Sequence, residues 1–157
     1  MPGFGASSQE DDETSSVEVD PSRAAEPAPT KVLSERDVAR LETAQGVTLQ
    51  WIGWENRGRI DIKPNENGTW QLAGLQKGDA GAKLTLAGEI TEIGDGYFLF
   101  DGRIQIFDTP GIGRACQADK IWRFEVTENR AYYRLREFEW CDYLTDYVDI
   151  YFAPGLR

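Results

Sequence analysis

Acidic and aromatic side chains alternate near the end of the chain, and they are the clearest candidates for binding chemistry. Tyr147, Asp149 and Tyr151 alternate with apolar residues, which predicts that all three lie on the outward face of one β-strand. Such a stripe can bind a sugar or a protein partner by ring stacking and hydrogen bonding, and a solvated strand face is the alternative interpretation. Trp54 and Trp140 fall at predicted strand ends, where exposed tryptophans indicate a binding rim and buried ones close the end of the fold.

The chain contains no histidine, and this excludes most familiar catalytic and metal sites. Serine and cysteine nucleophile systems, histidine-ligated zinc and facial-triad iron all need an imidazole. Two cysteines cannot complete a four-cysteine metal site. A hydrolase would need two opposed carboxylates, as in glycosidases, and Glu137, Glu139 and Asp142 are no better candidates than other acids. We predict no catalytic residue, no metal site and no cofactor.

Cys116 and Cys141 predict a disulfide between neighbouring strands. If Glu128-Asn129 is a two-residue turn, opposed positions across the hairpin sum to 257, so that Phe124 faces Tyr133 and one face is apolar. The two cysteines then face each other in a pair whose Cα atoms lie about 4.5 Å apart, within reach of a disulfide. Two reduced, buried cysteines are the alternative.

The charge and the cysteines indicate where the protein acts. A net charge of −10 opposes binding to nucleic acid. A disulfide indicates an oxidising compartment, so we expect a periplasmic or cell-surface protein. The sequence has neither an apolar run long enough to span a membrane nor a signal-peptide pattern at its N-terminus. We therefore expect export by a signal peptide that is absent from this sequence.

Residues 1–30 differ in composition from the rest of the chain. They hold seven acidic residues, one arginine and four of the seven prolines, and Phe4 is their only aromatic residue. Because they cannot bury enough apolar surface to offset the entropy of ordering, we predict a disordered acidic tether. Such a spacer would suit an N-terminal lipid anchor in the native precursor. Residues 31–157 hold all five tryptophans and are predicted to form a single barrel-like domain.

The domain begins with one helix and continues in strand patterns. Ser34 and Asp37 supply the N-cap and the N3 acid of a short helix, and Gly46 ends it. Alternating apolar residues then recur between turn signals such as Asn67-Gly68. Seven or eight strands in hairpin order predict an all-β fold, either an antiparallel up-and-down barrel or a curled sandwich. Arg134 and its neighbours form a lesser basic-aromatic patch, for which cross-strand pairing is the preferred interpretation.

Several stretches resemble an uncharacterised family of small exported bacterial β-domain proteins. They are Gly46-Val47-Thr48-Leu49-Gln50-Trp51-Ile52, Tyr133-Arg134-Leu135-Arg136, Cys141, and Thr145-Asp146-Tyr147-Val148-Asp149-Ile150-Tyr151-Phe152. The resemblance covers most of residues 46–152 and implies export and the pairing of Cys116 with Cys141, but it implies no catalytic residue. Gly68-Thr69-Trp70 is also similar to the Gly-x-Trp signature of lipocalins.

These features favour a non-catalytic, envelope-associated β-domain that binds a partner, either a protein or a small ligand, or stabilises a surface. The first alternative is a lipocalin-like carrier that holds a small apolar ligand inside the barrel. The second is a histidine-free, carboxylate-based hydrolase of the glycosidase type. Bulky residues in the inward rows, Phe98, Phe100, Trp122 and Phe124, favour a packed interior. An interior cavity above roughly 300 Å³ would favour the carrier.

Overall fold

The computed structural model describes residues 28–157, and its main element is one sheet that nearly closes into a barrel. The strands are β1 (Lys31–Val32), β2 (Gly46–Leu49), β3 (Arg59–Pro64), β4 (Trp70–Lys77), β5 (Lys83–Gly94), β6 (Tyr97–Phe107), β7 (Ala115–Glu125), β8 (Tyr132–Leu135) and β9 (Val148–Tyr151). The helix α1 (Glu35–Glu42) follows β1, and single 3₁₀ turns lie at Asp79–Gly81 and Pro154–Leu156. The predicted all-β fold with one short N-terminal helix is confirmed.

The strands lie in the order β2-β9-β8-β7-β6-β5-β4-β3, and every neighbouring pair in this order is antiparallel. The short β1 adds to β5 as a parallel strand. The hairpins β5–β6 and β6–β7 are long because apolar residues alternate along all three strands. Gly96 has a φ of +79° in the turn between β5 and β6, a conformation that glycine adopts without strain.

The barrel closes at a narrow seam between β2 and β3. Val47 donates its N–H to the Gly58 carbonyl at 3.1 Å, and Gly58 returns a hydrogen bond at 2.8 Å. Gln76 of β4 is 1% exposed, and its Oε1 accepts from the N–H of Leu49 at 2.6 Å. Its Nε2 donates to two carbonyl groups of the loop 50–58, both at 2.9 Å. The buried Gln76 side chain therefore supplies hydrogen-bond partners to backbone groups at the place where β2 and β3 diverge.

Bulky apolar side chains fill the interior of the barrel. Phe98 stacks on Phe124 with ring centroids 4.9 Å apart, and Tyr133 meets Phe98 edge-on at 5.1 Å. The largest side chains that are less than 2% exposed are Trp122, Tyr133, Phe98, Phe100, Phe124 and Phe152. Because each contributes roughly 1.5–3 kcal/mol or more on burial, the stability of the fold depends mainly on this packed interior.

The barrel has two different ends. At one, which we call the helix end, α1 contacts the turn between β5 and β6, and the connections from β3 to β4 and from β7 to β8 lie at the same end. At the other, the loop end, lie the loops 50–58, 78–82, 108–114 and 136–147. The register of β6 fixes this arrangement, since Tyr97 pairs with Gly94 at the helix end and Phe107 pairs with Ala115 at the loop end.

The described chain enters the barrel at the helix end. The predicted tether falls mainly on residues 1–27, which lie outside the described residues. Thr30 belongs to the barrel, because it is 8% exposed and its N–H donates to the Gly68 carbonyl at 3.0 Å. Its hydroxyl donates to the Ile90 carbonyl at 2.5 Å and accepts from the N–H of Trp70 at 2.9 Å. Thr30 thereby links β4 to β5 before β1 begins.

The predicted disulfide between Cys116 and Cys141 is present, with Cα atoms 6.0 Å apart. The register from which we derived it is wrong, because Phe124 pairs with Leu135, two residues beyond the expected Tyr133. In addition, β8 ends at Leu135 and residues 136–147 form a loop. Cys141 thus approaches β7 from this loop and not from a paired strand.

The connection between β7 and β8 explains the shift in register. The N–H of Val126 donates to the Gly96 carbonyl at 2.8 Å, and the Ala131 carbonyl accepts from the N–H of Phe152 at 3.0 Å. In the expected register Val126 would face Ala131, but Val126 bonds to the turn before β6 and Ala131 bonds to the residue after β9. The turn at Glu128, where φ is +58°, belongs to a longer connection than the two-residue turn of the prediction.

Candidate binding site

The predicted stripe on β9 borders a pocket of about 210 Å³ on the outer surface of the sheet. We call it the β8–β9 pocket, and its lining residues are Trp54, Tyr132, Arg134, Asp149 and Tyr151. The pairing of β8 with β9 places Asp149 opposite Arg134 and Tyr151 opposite Tyr132. Because side chains alternate along both strands, these four share one face while Tyr133 and Ile150 point into the core.

An ion pair between Arg134 and Asp149 forms the floor of the pocket. Nε and Nη2 of Arg134 donate to the two carboxylate oxygens at 2.7 and 2.8 Å, and the side chains are 15% and 1% exposed. These hydrogen bonds hold the pKa of Arg134 above its usual value. The bidentate geometry fixes both planar groups. Within residues 28–157, Nη1 of Arg134 has no protein acceptor, so it remains able to donate.

Two tyrosines form the walls of the pocket. The rings of Tyr132 and Tyr151 lie 5.4 Å apart, and the guanidinium of Arg57 lies 3.9 Å from the centre of the Tyr151 ring. Burial raises the pKa of Tyr151, whose hydroxyl lies 2.9 Å from Oγ1 of the buried Thr48. The Tyr132 hydroxyl accepts from Nη1 of Arg130 at 2.9 Å. Both rings are therefore fixed by polar contacts at their hydroxyl ends.

Trp54 forms the rim and is 53% exposed. It also lines a neighbouring depression of about 280 Å³ formed by residues 52–56. The loop carrying Trp54 is anchored on both sides of it, because Gln76 holds the Gly53 and Asn56 carbonyls. This anchoring restricts the main chain around an exposed indole ring. Such a residue loses little conformational entropy when a ligand binds.

The structure brings together most of the residues predicted for the binding face. Trp54, Asp149 and Tyr151 line the β8–β9 pocket, and the Tyr147 ring lies 4.1 Å from the Arg134 guanidinium. Trp140 lies elsewhere. It packs edge-on against the buried Trp122 at 5.1 Å, and its buried Nε1 has no hydrogen-bond partner in the described part of the chain.

Sequence reasoning missed two features of the pocket. It did not place Arg57 over Tyr151, because these residues are distant in sequence and meet only through the β2–β9 pairing. It also read Asp149 as an outward carboxylate without a partner. The strand parity of Arg134, which alternates with the inward Tyr133 and Leu135, was the signal that could have paired it with Asp149.

A second buried ion pair holds the loop 136–147 at the loop end. Nη1 and Nη2 of Arg114 donate to the two oxygens of Asp146, both at 2.8 Å, and Nε and Nη2 donate to Asp142 at 3.0 and 2.8 Å. Asp146, which is fully buried, also accepts from Nε1 of Trp51 at 2.8 Å. Nη1 also donates to the Thr109 carbonyl at 3.1 Å, and the Cys141 carbonyl shares an Nη2 hydrogen at 3.2 Å. Because every donor group has an acceptor, we interpret this cluster as structural.

A third buried carboxylate, Asp37, joins α1 to the barrel. It accepts hydrogen bonds from the hydroxyls of Ser34 and Tyr133 at 2.6 and 2.5 Å and from the N–H of Gly96 at 3.1 Å. Nη1 of Arg40 lies 3.2 Å from it. Burial by itself raises the pKa of Asp37, but these hydrogen bonds and the arginine charge outweigh burial, so the pKa lies below its usual value. Burial raises the pKa of Tyr133, with Asp37 adding to the effect.

The buried carboxylates of the described chain thus share one arrangement. Asp37, Asp146 and Asp149 each pair with an arginine. A glycosidase needs instead two carboxyl groups about 5–9.5 Å apart across a cleft. Of the acids considered for that role, Asp142 bonds to Arg114 and Glu137 pairs with Lys120.

Residues 28–157 contain no helix of the length and apolar character needed to cross a membrane. The model of the PM1083 family matches residues 29–152, from the segment before β1 to the residue after β9. An "Uncharacterized protein PM1083" of Pasteurella multocida (strain Pm70) is 36% identical over 106 residues, covering 66% of this chain and 68% of the relative. No solved structure matches the chain. The resemblance to an uncharacterised bacterial family is confirmed, and the chain belongs to the PM1083 family.

Proposed function

We propose that this chain is a non-catalytic, exported β-domain of the cell envelope that binds a partner through the β8–β9 pocket. The observation that carries the proposal is Trp54, a large aromatic side chain that stays 53% exposed at the rim of a rigid polar pocket. Tryptophan, tyrosine and arginine are the residue types that contribute most to binding free energy at interfaces. All three types line this pocket.

The buried carboxylates support a binding role over a hydrolytic one. Each is neutralised by an arginine at hydrogen-bond distance, which suits a structural ion pair better than a general acid or base. The packed interior, with Trp122 and Phe98 completely buried, gives a lipocalin-like carrier no support. The β8–β9 pocket lies outside the barrel, and its volume of about 210 Å³ is below the roughly 300 Å³ at which pockets for drug-sized ligands begin.

The disulfide supports export. Cys116 and Cys141 are bonded, and disulfides persist mainly in oxidising compartments such as the periplasm and the cell surface. The segment before Thr30, with its seven acidic side chains, serves in this proposal as the spacer between an N-terminal lipid anchor and the domain. A spacer would leave the pocket on the barrel wall accessible to a partner in the envelope.

The test is cosedimentation of the purified full chain with the envelope fraction of the bacterium that expresses it. We expect the wild type to sediment with the fraction and Trp54→Ala to lose about thirtyfold in affinity, as when a hot-spot side chain is truncated. Ile121→Ala is the matched control, because Ile121 is 56% exposed on β7 and lies outside the pocket. No sedimentation of the wild type, or equal sedimentation of Trp54→Ala, would contradict the proposal.

A further inference from the structure

The β8–β9 pocket keeps a hydrogen-bond donor that its own contacts leave unused. Nη1 of Arg134 has no acceptor within residues 28–157. Asp149 lies beneath Arg134 with a side chain that is only 1% exposed, so its oxygens serve Arg134 and are closed to a ligand. Beside Arg134 stands the exposed Trp54 ring. The pocket thus offers a hydrogen-bond donor and a flat apolar surface to the same ligand.

The charge around the pocket favours an anion. Arg57, Arg130 and Arg134 surround the two tyrosine rings. Asp149 pairs with Arg134 and the exposed Glu128 pairs with Arg130, whereas Arg57 forms no ion pair within residues 28–157. The positive charge open to a ligand is therefore that of Arg57. The whole chain, in contrast, has a net charge of −10. Because Arg57 is exposed, it can turn one edge of its guanidinium to a carboxylate or phosphate while it stays over Tyr151.

The size of the pocket limits the ligand to about one ring. Its volume of about 210 Å³ is below the range of drug-sized ligands, so a lipid or an extended cofactor exceeds the available space. The tyrosine rings that line it lie 5.4 Å apart. A compact ring presented at the end of a longer chain fits this shape.

Other ligand classes fit less well. A peptide strand cannot add to the sheet here, because β8 and β9 are each paired on both sides. A cationic ligand would need free aromatic ring faces, as in an aromatic cage. Here Arg57 already covers the Tyr151 ring and Arg134 covers the Tyr147 ring, and both would repel a cation. What remains is a small ligand that is recognised by side chains and that carries hydrogen-bond acceptors and negative charge.

We propose that the β8–β9 pocket binds a single sugar ring that carries an anionic substituent. A hydroxyl group of the ring accepts from Nη1 of Arg134, the C–H face of the ring packs on Trp54, and the anionic group pairs with Arg57. This inference rests on the proposed function, since it names the ligand class of the same site. The anionic group is a carboxylate or a phosphate, because a guanidinium binds both in the same way.

The experiment is a titration of the ¹⁵N-labelled full chain, followed by the indole N–H signals of its five tryptophans. Glucuronate and glucose 6-phosphate are the probes. Methyl glucoside keeps the ring and its hydroxyls without the charge, and benzoate keeps a ring and a charge without hydroxyls. The signal that disappears in Trp54→Phe belongs to Trp54. We expect at least one anionic sugar to shift it saturably, and the sugar that binds identifies the anion.

Variants separate specific recognition from weak ion binding. We expect Trp54→Ala and Arg57→Gln to weaken binding of the anionic sugar about tenfold or more, whereas Ile121→Ala leaves it unchanged. Both substituted residues are exposed, so neither change disturbs the core. Equal affinity for methyl glucoside or for benzoate would overturn the inference, and so would the absence of binding by both anionic sugars.

The two proposals fail in different ways. If neither anionic sugar binds while the chain still sediments with the envelope in a manner that depends on Trp54, the inference is wrong and the proposed function stands. If cosedimentation also fails, both are wrong.

Discussion

Asp37 is the residue on which the contact between α1 and the barrel depends most. The carboxylate is completely buried, and its four partners come from the helix, from β8 and from the turn before β6. Removing one member of a buried, hydrogen-bonded ion pair leaves the other charge uncompensated. The contribution of Asp37 to stability must therefore depend on its charge.

We predict that Asp37→Asn destabilises the protein by about 3–5 kcal/mol at pH 7, measured by urea unfolding. Because the folded-state pKa lies below the usual 3.8, the stabilisation by Asp37 is fully present above that value. It is lost as the pH falls through the folded-state pKa, so the gap between wild type and variant narrows below about pH 4. Asp101→Asn, at an exposed position, is the control. A gap that stays constant between pH 7 and pH 2 would contradict this assignment.

Local patterns predicted the residues at the start of α1 but not the partners of the buried acids. Ser34 and Asp37 occupy the predicted N-cap and N3 positions, because capping depends only on neighbours in the sequence. The burial of Asp149 depends on which residue of β8 lies opposite it. The sequence analysis predicted no register between β8 and β9, so it did not identify that partner, although the alternation that puts Asp149 on the outward side of β9 was read correctly.

At the scale of elements, the loop 136–147 is held by two independent devices. One is the disulfide to β7, and the other is the Arg114 guanidinium, which bonds to Asp142, Asp146 and the Cys141 carbonyl. The loop is therefore fixed although none of its residues is itself part of a strand. Asp142 and Tyr143 have φ values of +50° and +64°, which only such strong local contacts can maintain.

We predict that Arg114→Met destabilises the oxidised protein by about 3–5 kcal/mol, because it leaves the buried Asp146 carboxylate without a counter-ion. Arg103→Met is the matched control. Arg103 makes an equivalent bidentate pair with Asp119 at 2.8 and 3.0 Å, but its side chain is 49% exposed, so a cost below about 1 kcal/mol is expected. Urea unfolding of both variants measures the difference. Equal effects would show that burial does not determine the strength of the Arg114 cluster.

The long hairpins could be predicted from sequence, and the loop could not. The strands β6 and β7 keep a period of two over eleven residues, and β5 keeps it up to a bulge between Ile90 and Glu92, so their order and facing follow from alternation and turns. Residues 136–141 continue a mixture of charged and aromatic side chains that is compatible with a strand. Their departure from the sheet depends on Arg114, which lies in another loop and carries no local signal. The role of Gln76 at the seam could not be predicted from the sequence for the same reason.

At the scale of the molecule, the disulfide makes the proposed export testable. The experiment is to quench cells of the native host in denaturant and add maleimide. We expect Cys116 and Cys141 to remain unlabelled, because a disulfide leaves no thiol to react. After reduction, maleimide should label two thiols in each chain, and the increase in mass measures this labelling. The same domain kept in a reducing cytosol is the control and should label without reductant. Full labelling in the native host without reductant would contradict export.

The position of Thr30 has a mechanical consequence. Any pull applied through the N-terminal segment reaches the barrel at Thr30, whose hydrogen bonds spread it over Gly68, Trp70 and Ile90. The load therefore enters at the joined strands β4 and β5 and not at the seam, where Val47 and Gly58 make the backbone bridge. A force applied at Thr30 therefore acts on the continuous pairing of β4 with β5. It does not act directly on the single bridge between Val47 and Gly58.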